Sequence, residues 1–360
     1  MPTVLGEIDA LEAKGIAVGP ERLAISDRAH VLLDLHKMID GLREAELADL
    51  PTGDGPIGTT KRGIGPCYSA KATRNGIRVS DLIAPDGGAK FEAKLKTLVA
   101  DAARRFGSES FACDVAAEAA SYRDHAARLR PYVKDTVSLM AASCGANDRV
   151  LIEGANATML DIDFGTYPFV TSSSTTIGGV CAGLGVPPQR VTSVVGVAKA
   201  YTTRVGEGPY PTEVFGELAE RIRKEGGEFG TTTGRPRRCG WLDAVALRYA
   251  CAINGFALLN ITKLDVLSGL DQVMIGTGYR GANGSGEALA SFPADLDVLG
   301  EVAVEYETLP GWKEDISKCR AFGDLPRNAQ AYIQRLEELV GVPVRWIGVG
   351  PGRDALIVKP

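Results

Sequence analysis

GFALLNITKLD, residues 255–265, is a short run of apolar and β-branched residues that ends on a polar Thr-Lys-Leu-Asp. Such a run predicts a buried strand. The segment just before it, WLDAVALRYACAI (241–253), repeats its apolar residues at helical spacing. The same pairing recurs along the chain. Strands are predicted at VLIEGA (150–155), VTSVVGVAKAY (191–201) and PVRWIGVG (343–350), and helices at FEAKLKTLVADAARRF (91–106) and RNAQAYIQRLEELVG (327–341), the last closed by a glycine C-cap. Strand and helix in alternation predict an α/β fold with a mainly parallel sheet, in which ligands gather at the carboxyl ends of the strands. No internal repeat or disordered linker is visible, and GANGSGEALAS (281–291) reads as a hairpin or surface loop.

Composition narrows the function. The chain has 360 residues, 45% of them hydrophobic and 24% charged, with a net charge of -5, which suits a globular protein with a large core. The acidic balance argues against nucleic acid as a partner, because phosphate-backbone binders carry a basic stripe. Local basic patches must then serve small anions. No apolar run reaches the ~18 residues a membrane span needs, and the opening MPTVLGEIDALEAKG lacks the basic start and apolar centre of a signal peptide. A cytoplasmic protein with no membrane partner is expected. The seven cysteines form no CxxC pair, so reduced thiols are expected rather than disulfides or a zinc site, and no metal ligands are assigned.

Five segments carry chemistry. GTTTGRPRRCGW (230–241) gathers three threonines and three arginines around one proline. Guanidinium forks match carboxylates and phosphates, and hydroxyls with glycine-freed amides fill the remaining acceptor directions. The loop suits a multiply anionic small ligand; a solvated basic turn is the other reading. NITKLD (260–265) places a lysine two residues before an aspartate at a strand end. It resembles the base-reading element of GTP-binding proteins, whose carboxylate accepts hydrogen bonds from guanine N1 and N2. A plain surface ion pair is the alternative. IGVGPGR (347–353) offers a glycine-rich turn that can approach a ribose or base edge closely. GPIGTTKRGIGPCYSAKATRNG (55–76) mixes glycine turns, threonines and cations as a mononucleotide phosphate site requires, and EGANATMLDIDFGTYPFVTSSSTTIGG (153–179) is rich in hydroxyls and short amides.

Together with KAYTTRVGEGPYPTE (199–213) and YETLPGW (306–312), these segments resemble the adenylosuccinate synthetase family over essentially the whole chain. The resemblance implies one synthetase domain over residues 1–360, a large mainly parallel sheet flanked by helices and related to P-loop NTPases, and a homodimer in purine synthesis. The implied activity is GTP-dependent ligation of L-aspartate to IMP through a 6-phosphoryl-IMP intermediate, with Mg2+ as cofactor. By position, Thr60, Asn156, Thr171 and Arg235 would surround IMP, and Arg74 would reach the IMP phosphate of the neighbouring subunit. Thr231, Thr232, Thr233, Gly234, Arg235, Pro236 and Arg237 would form the aspartate loop. Arg237, Lys263, Leu264, Asp265, Gly348, Val349 and Gly350 would bind GTP.

The resemblance departs at the acid-base pair. The family pattern opens with a phosphate loop, GDEGKGK, whose aspartate is base and magnesium ligand, and continues to NAGHT, whose histidine is the acid. Neither occurs in this sequence, nor does any GxxxxGK[ST]. The histidines, His30, His36 and His125, fall in helix-like contexts that match no catalytic motif. The expectation is therefore a synthetase lacking its N-terminal strand and phosphate loop, with no catalytic residue of its own and inactive alone. A non-catalytic nucleotide-binding or dimerising paralogue is the alternative.

Overall fold

The computed structural model describes residues 1–49, 58–107, 111, 113–146, 148–230, 234–281 and 286–360. It divides into two compact units.

The first unit comprises Met1–Gly154, Thr171–Ser173 and Gly179–Arg190. It is helical: α1 (Pro2–Glu12), α2 (Asp34–Asp49), α3 (Ile64–Ala72), α4 (Val79–Leu82), α5 (Ala89–Phe106), α6 (Val115–Leu129), α7 (Thr136–Gly145) and most of α8 (Ile177–Leu184), with a two-residue parallel pair, β1 (Ile25–Ser26) and β2 (Val133–Lys134). The sequence sets where helices start. Asp114 accepts hydrogen bonds from the N–H groups of Ala116 and Ala117, and Asp135 from those of Val137 and Ser138, which satisfies donors that a helix start leaves open. Phe91, Leu95 and Leu98 of α5 and Ala119, Tyr122 and Ala126 of α6 belong to the main buried core of this unit, with Val31, Leu33, Leu35, Ile77 and Leu82 among the rest. Residues 150–155, expected as a strand, are not one. Leu151 is 94% exposed, and an apolar run becomes a strand only when a neighbour pairs its N–H and C=O groups.

The second unit comprises Ala155–Val170, Ser174–Gly178 and Val191–Pro360. It carries β3 (Val195–Lys199), β4 (Thr202–Arg204), β5 (Arg238–Gly240), β6 (Leu242–Asp243), β7 (Leu258–Thr262), β8 (Gln272–Arg280), β9 (Ala303–Pro310), β10 (Val344–Gly348) and β11 (Leu356–Val358), with α9 (Gly216–Glu225), α10 (Ala244–Asn254), α11 (Leu296–Glu301) and α12 (Arg327–Val340) between them. Among the described residues the main sheet runs β11-β10-β7-β3; β3, β7 and β10 are parallel and β11 is an antiparallel edge. A second sheet, β6-β8-β9, and the antiparallel pair β4-β5 complete the strands.

The quoted run behaves as its composition dictates. Asp243 caps α10 through the N–H groups of Val245 and Ala246, Gly255 ends that helix at φ 61°, and the chain enters β7. Leu259 and Ile261 of β7 are fully buried, as is Ile347 of β10, each contributing ~1.5–3 kcal/mol of transfer free energy. On α12, Ala329, Tyr332, Ile333, Leu336 and Val340 form one buried stripe, and Gly341 at φ 71° stops the helix three residues before β10. The α/β class expected from alternation is the observed one.

Candidate active site

Parallel β7 and β10 end at the same edge of their sheet, so Thr262–Lys263 and Gly348–Gly350 lie side by side there. A Cβ on Gly348 would sit 3.3 Å from the Thr262 Cα, a close approach that glycine permits. Lys263 adopts φ 61°, left-handed for a non-glycine residue, and starts the 3-10 turn Leu264–Leu267. A cavity of about 700 Å³ opens at this edge, with Lys263, Asp265, Gly348, Gly350 and Arg353 among its lining residues. Leu264 and Val349 are fully buried and belong to the core behind it. One oxygen of Asp265, Oδ1, is buried with no hydrogen-bond partner among the described residues. Burial pushes the Asp265 carboxyl up, while Lys263 attracts it in the opposite direction. An unsatisfied acceptor on a cavity-lining residue beside a cation suits a ligand edge with two N–H donors.

Beside the cavity lies Glu228, which the sequence reading missed. It is fully buried. Its Oε1 accepts from the Tyr201 hydroxyl (2.5 Å) and the Lys263 ammonium (2.8 Å), and its Oε2 from the Lys199 ammonium (2.9 Å) and Arg237 Nη1 (2.8 Å). Burial pushes this carboxyl up, but the hydrogen bonds from Lys263, Tyr201, Lys199 and Arg237 outweigh it and hold the group at about 2. Glu228 also opens the arginine hairpin: its carbonyl accepts from the Arg237 N–H (2.9 Å), the Gly230 N–H donates to the Arg235 carbonyl (2.8 Å), and Gly234 turns the tip at φ 65°. Pro236 forms a bridge with Phe229, and Arg235 is exposed. Thr231, Thr232 and Thr233 lie outside the described residues.

Elsewhere in the second unit, Asn156 sits at φ 68°, a region that asparagine tolerates. The loop after it is held by Asp161, another residue the sequence did not flag. Its buried carboxylate accepts from the N–H groups of Asp163, Phe164, Thr175 and Thr176 and from the Ser174 hydroxyl. Burial pushes it up and these bonds bring it below its ordinary value.

In the first unit, Thr60 is exposed in a loop fixed from below by two carboxylates of α2. Asp40 accepts from the Thr59 hydroxyl (3.1 Å) and the Gly63 N–H (2.8 Å), and Glu44 from the N–H groups of Gly58 and Thr59 (3.0 and 3.1 Å). Spacing of i and i+4 on one helix was the signal that could have found this pair. Arg74 is exposed at φ 66° after α3, and Thr171 is partly buried.

The histidines have structural settings. His36 is buried in α2, where Nδ1 accepts from the Leu33 N–H (3.1 Å), and His125 on α6 meets the edge of Tyr122. His30 was expected in a helix-like context; it lies instead in an antiparallel bridge with Arg78, because backbone pairing with a distant segment overrides local pattern. The seven cysteines are free. Among the described residues no group of three or more His, Cys, Asp or Glu could hold a metal ion, so these side chains make no dedicated Mg2+ cage.

Comparison with known proteins gives these loops a context. A family model, adenylosuccinate synthetase, matches residues 1–357. A chloroplastic adenylosuccinate synthetase of Chlamydomonas reinhardtii is 60% identical over all of this chain and 76% of its own length. A chloroplastic adenylosuccinate synthetase of Physcomitrium patens is 59% identical over all of this chain and 68% of its own. The fully ligated adenylosuccinate synthetase of Plasmodium falciparum superposes with a TM-score of 0.92 at 43% identity, covering all of this chain and 82% of that one. Two expectations change. The cytoplasmic expectation is overturned by relatives 56–60% identical that are named chloroplastic; it rested on the absence of a membrane span and of a secretory signal pattern, neither of which distinguishes these compartments. A lost N-terminal segment, and the inactivity inferred from it, is not borne out by a family match that starts at residue 1. On a family match of this extent and identities of this level, the chain belongs to the adenylosuccinate synthetase family.

Proposed function

We propose that the cavity at the ends of β7 and β10 reads guanine, with the arginine hairpin holding L-aspartate beside it. The activity of the family, GTP-dependent ligation of L-aspartate to IMP, is this chain's activity. The observation that carries the site assignment is Asp265 Oδ1, buried, unpartnered and next to Lys263 on the cavity wall. Guanine presents N1–H and N2–H to such a carboxylate, whereas adenine has no matching donor pair. Gly348, Val349 and Gly350 back the base, and Arg237 lies between nucleotide and aspartate.

The chemistry explains why cations and amides dominate. The C6 oxygen of IMP is a poor leaving group; phosphorylation by GTP converts it, and the aspartate amine then displaces phosphate. Positioning and charge neutralisation supply most of the acceleration in such transfers. The threonines at 231–233 with Gly234, Arg235, Pro236 and Arg237 form the aspartate loop in this reading. In this reading Thr60, Arg74, Thr171, Asn156 and Arg235 contact IMP, Arg74 doing so across a homodimer. The same reading takes residues 1–360 as one synthetase domain. Mg2+ would supply charge neutralisation at the nucleotide phosphates, and among the described residues no cluster of carboxylates is assigned to hold it.

The test is turnover. Purified chain, IMP, GTP and L-aspartate should yield adenylosuccinate, followed by product chromatography, with no product when ATP replaces GTP or when aspartate is left out. Equal rates with ATP and GTP would remove the guanine assignment.

A further inference from the structure

Glu228 is surrounded in a way that a structural ion pair does not require. A carboxylate has about four lone-pair sites, and all of them are filled, by Tyr201, Lys199, Lys263 and Arg237. Three of those donors are cations bonded to a single anion. Three cations on one anion leave a local surplus of positive charge, which suits the anionic substrates of the reading above. The donors also come from separate parts of the unit: Lys199 ends β3, Lys263 follows β7 and Arg237 closes the hairpin that Glu228 opens. Lys263 is fixed further by the Gly226 carbonyl and Lys199 by the Thr203 hydroxyl (2.9 Å), so neither ammonium is free to swing.

We propose that Glu228 is a positioning residue of the synthetase reaction, a shared counter-ion that fixes the guanine-side Lys263 and the aspartate-side Arg237 in one register, so that losing it damages recognition of both substrates. This rests on the guanine and aspartate assignments made above. Glu228 touches neither substrate in this reading; it acts through the cations it holds. Three cations without their anion repel one another and spread, and the two recognition elements loosen together.

The experiment uses the full chain and Glu228→Gln, which keeps shape and removes charge. Neutralising an anion also raises the positive potential, which would tighten GTP and ATP alike through their phosphates. Discrimination between the bases is the readout free of that effect. The expected result is a GTP-over-ATP preference in equilibrium binding reduced about tenfold and an aspartate KM raised about tenfold, with IMP affinity within about twofold of the parent. Combining Glu228→Gln with Lys263→Met should lower discrimination no further than Lys263→Met alone, because both remove one device. A purely structural role would lower the melting temperature and leave discrimination and the aspartate KM where they were, which overturns the proposal. If Glu228→Gln does not fold, Glu228→Asp, which keeps the charge and withdraws the oxygens by one methylene, decides by the same two measurements: the same pattern in weaker form supports the proposal, and an unchanged pattern overturns it. Failure of the underlying reading is distinguishable. If Lys263→Met and Asp265→Asn leave base discrimination intact, the guanine assignment is wrong; if they abolish it and Glu228 variants do not, only the positioning role is.

Discussion

Replacing Asp265 by asparagine tests the base-reading site most directly. The substitution keeps the size of the side chain, leaves one carbonyl oxygen and converts the other oxygen to an NH2 group. In the native protein the carboxylate has a buried oxygen with no partner among the described residues, so a ligand that brings donors gains the full value of satisfying it. Guanine N1–H and N2–H would make two charge-assisted hydrogen bonds, each worth ~1.5–3 kcal/mol. In the variant one donor still finds the amide oxygen, and the other meets an N–H. One bond is lost and one donor is left unpaired, a combined cost of ~2–4 kcal/mol, or about 30- to 1,000-fold in kcat/KM for GTP. Xanthosine triphosphate replaces the C2 amine by an oxygen that accepts the new N–H, so the variant should turn over this nucleotide better than the parent does. The assay is kcat/KM for the two nucleotides at fixed IMP and aspartate. An unchanged ratio between them would refute the reasoning.

Other outcomes follow from the same structure. Burial, aided by His30, holds His36 at about 4, below the ordinary 6.5, so the fold favours the neutral ring; the stability it contributes is complete above pH 6.5 and is lost as pH falls toward 4, at ~1.4 kcal/mol per unit and about 3 kcal/mol in all. Denaturant melts of His36→Gln between pH 4 and 7 should show a correspondingly flatter pH dependence. A Cβ on Gly226 would collide with the Tyr201 hydroxyl and lie 2.7 Å from the Ile222 carbonyl, so Gly226→Ala should cost ~1–3 kcal/mol in a urea titration. If Arg74 acts across a homodimer, mixing inactive Arg74→Leu and Arg235→Leu subunits should restore about one quarter of parental turnover, since half the dimers gain one intact site; mixtures as inactive as their parents would exclude the shared site.

What the sequence made legible is local. The strand at 258–262, the helix before it and the glycine-stopped helix α12 follow from apolar spacing and capping residues that need no distant partner. Lys263, Asp265 and the glycines at 348 and 350 were legible because they punctuate strand ends, and the fold brings them to one cavity. Glu228 was not. In GGEFG it is an ordinary acidic residue, and only folding closes the 35 positions to Lys263 and the 29 to Lys199. Asp161 was missed for the same reason, since a carboxylate that collects backbone amides from a loop leaves no periodic trace, whereas Asp40 and Glu44 left only their i, i+4 spacing on α2. The run at 150–155 failed in the other direction: its composition is strand-like, but pairing is non-local.

The left-handed backbone of Lys263 has a consequence for anyone who would make this protein more robust. At φ 61° a side chain other than glycine, asparagine or aspartate carries a conformational cost of ~1 kcal/mol. Glycine there would relieve that cost, yet it would delete the ammonium bonded to the buried Glu228 and placed on the cavity wall, a charge-assisted bond worth ~1.5–3 kcal/mol. Durability and discrimination therefore pull the same way at position 263, and a library screened only for survival at high temperature should keep its lysine and with it the means of telling guanine from adenine.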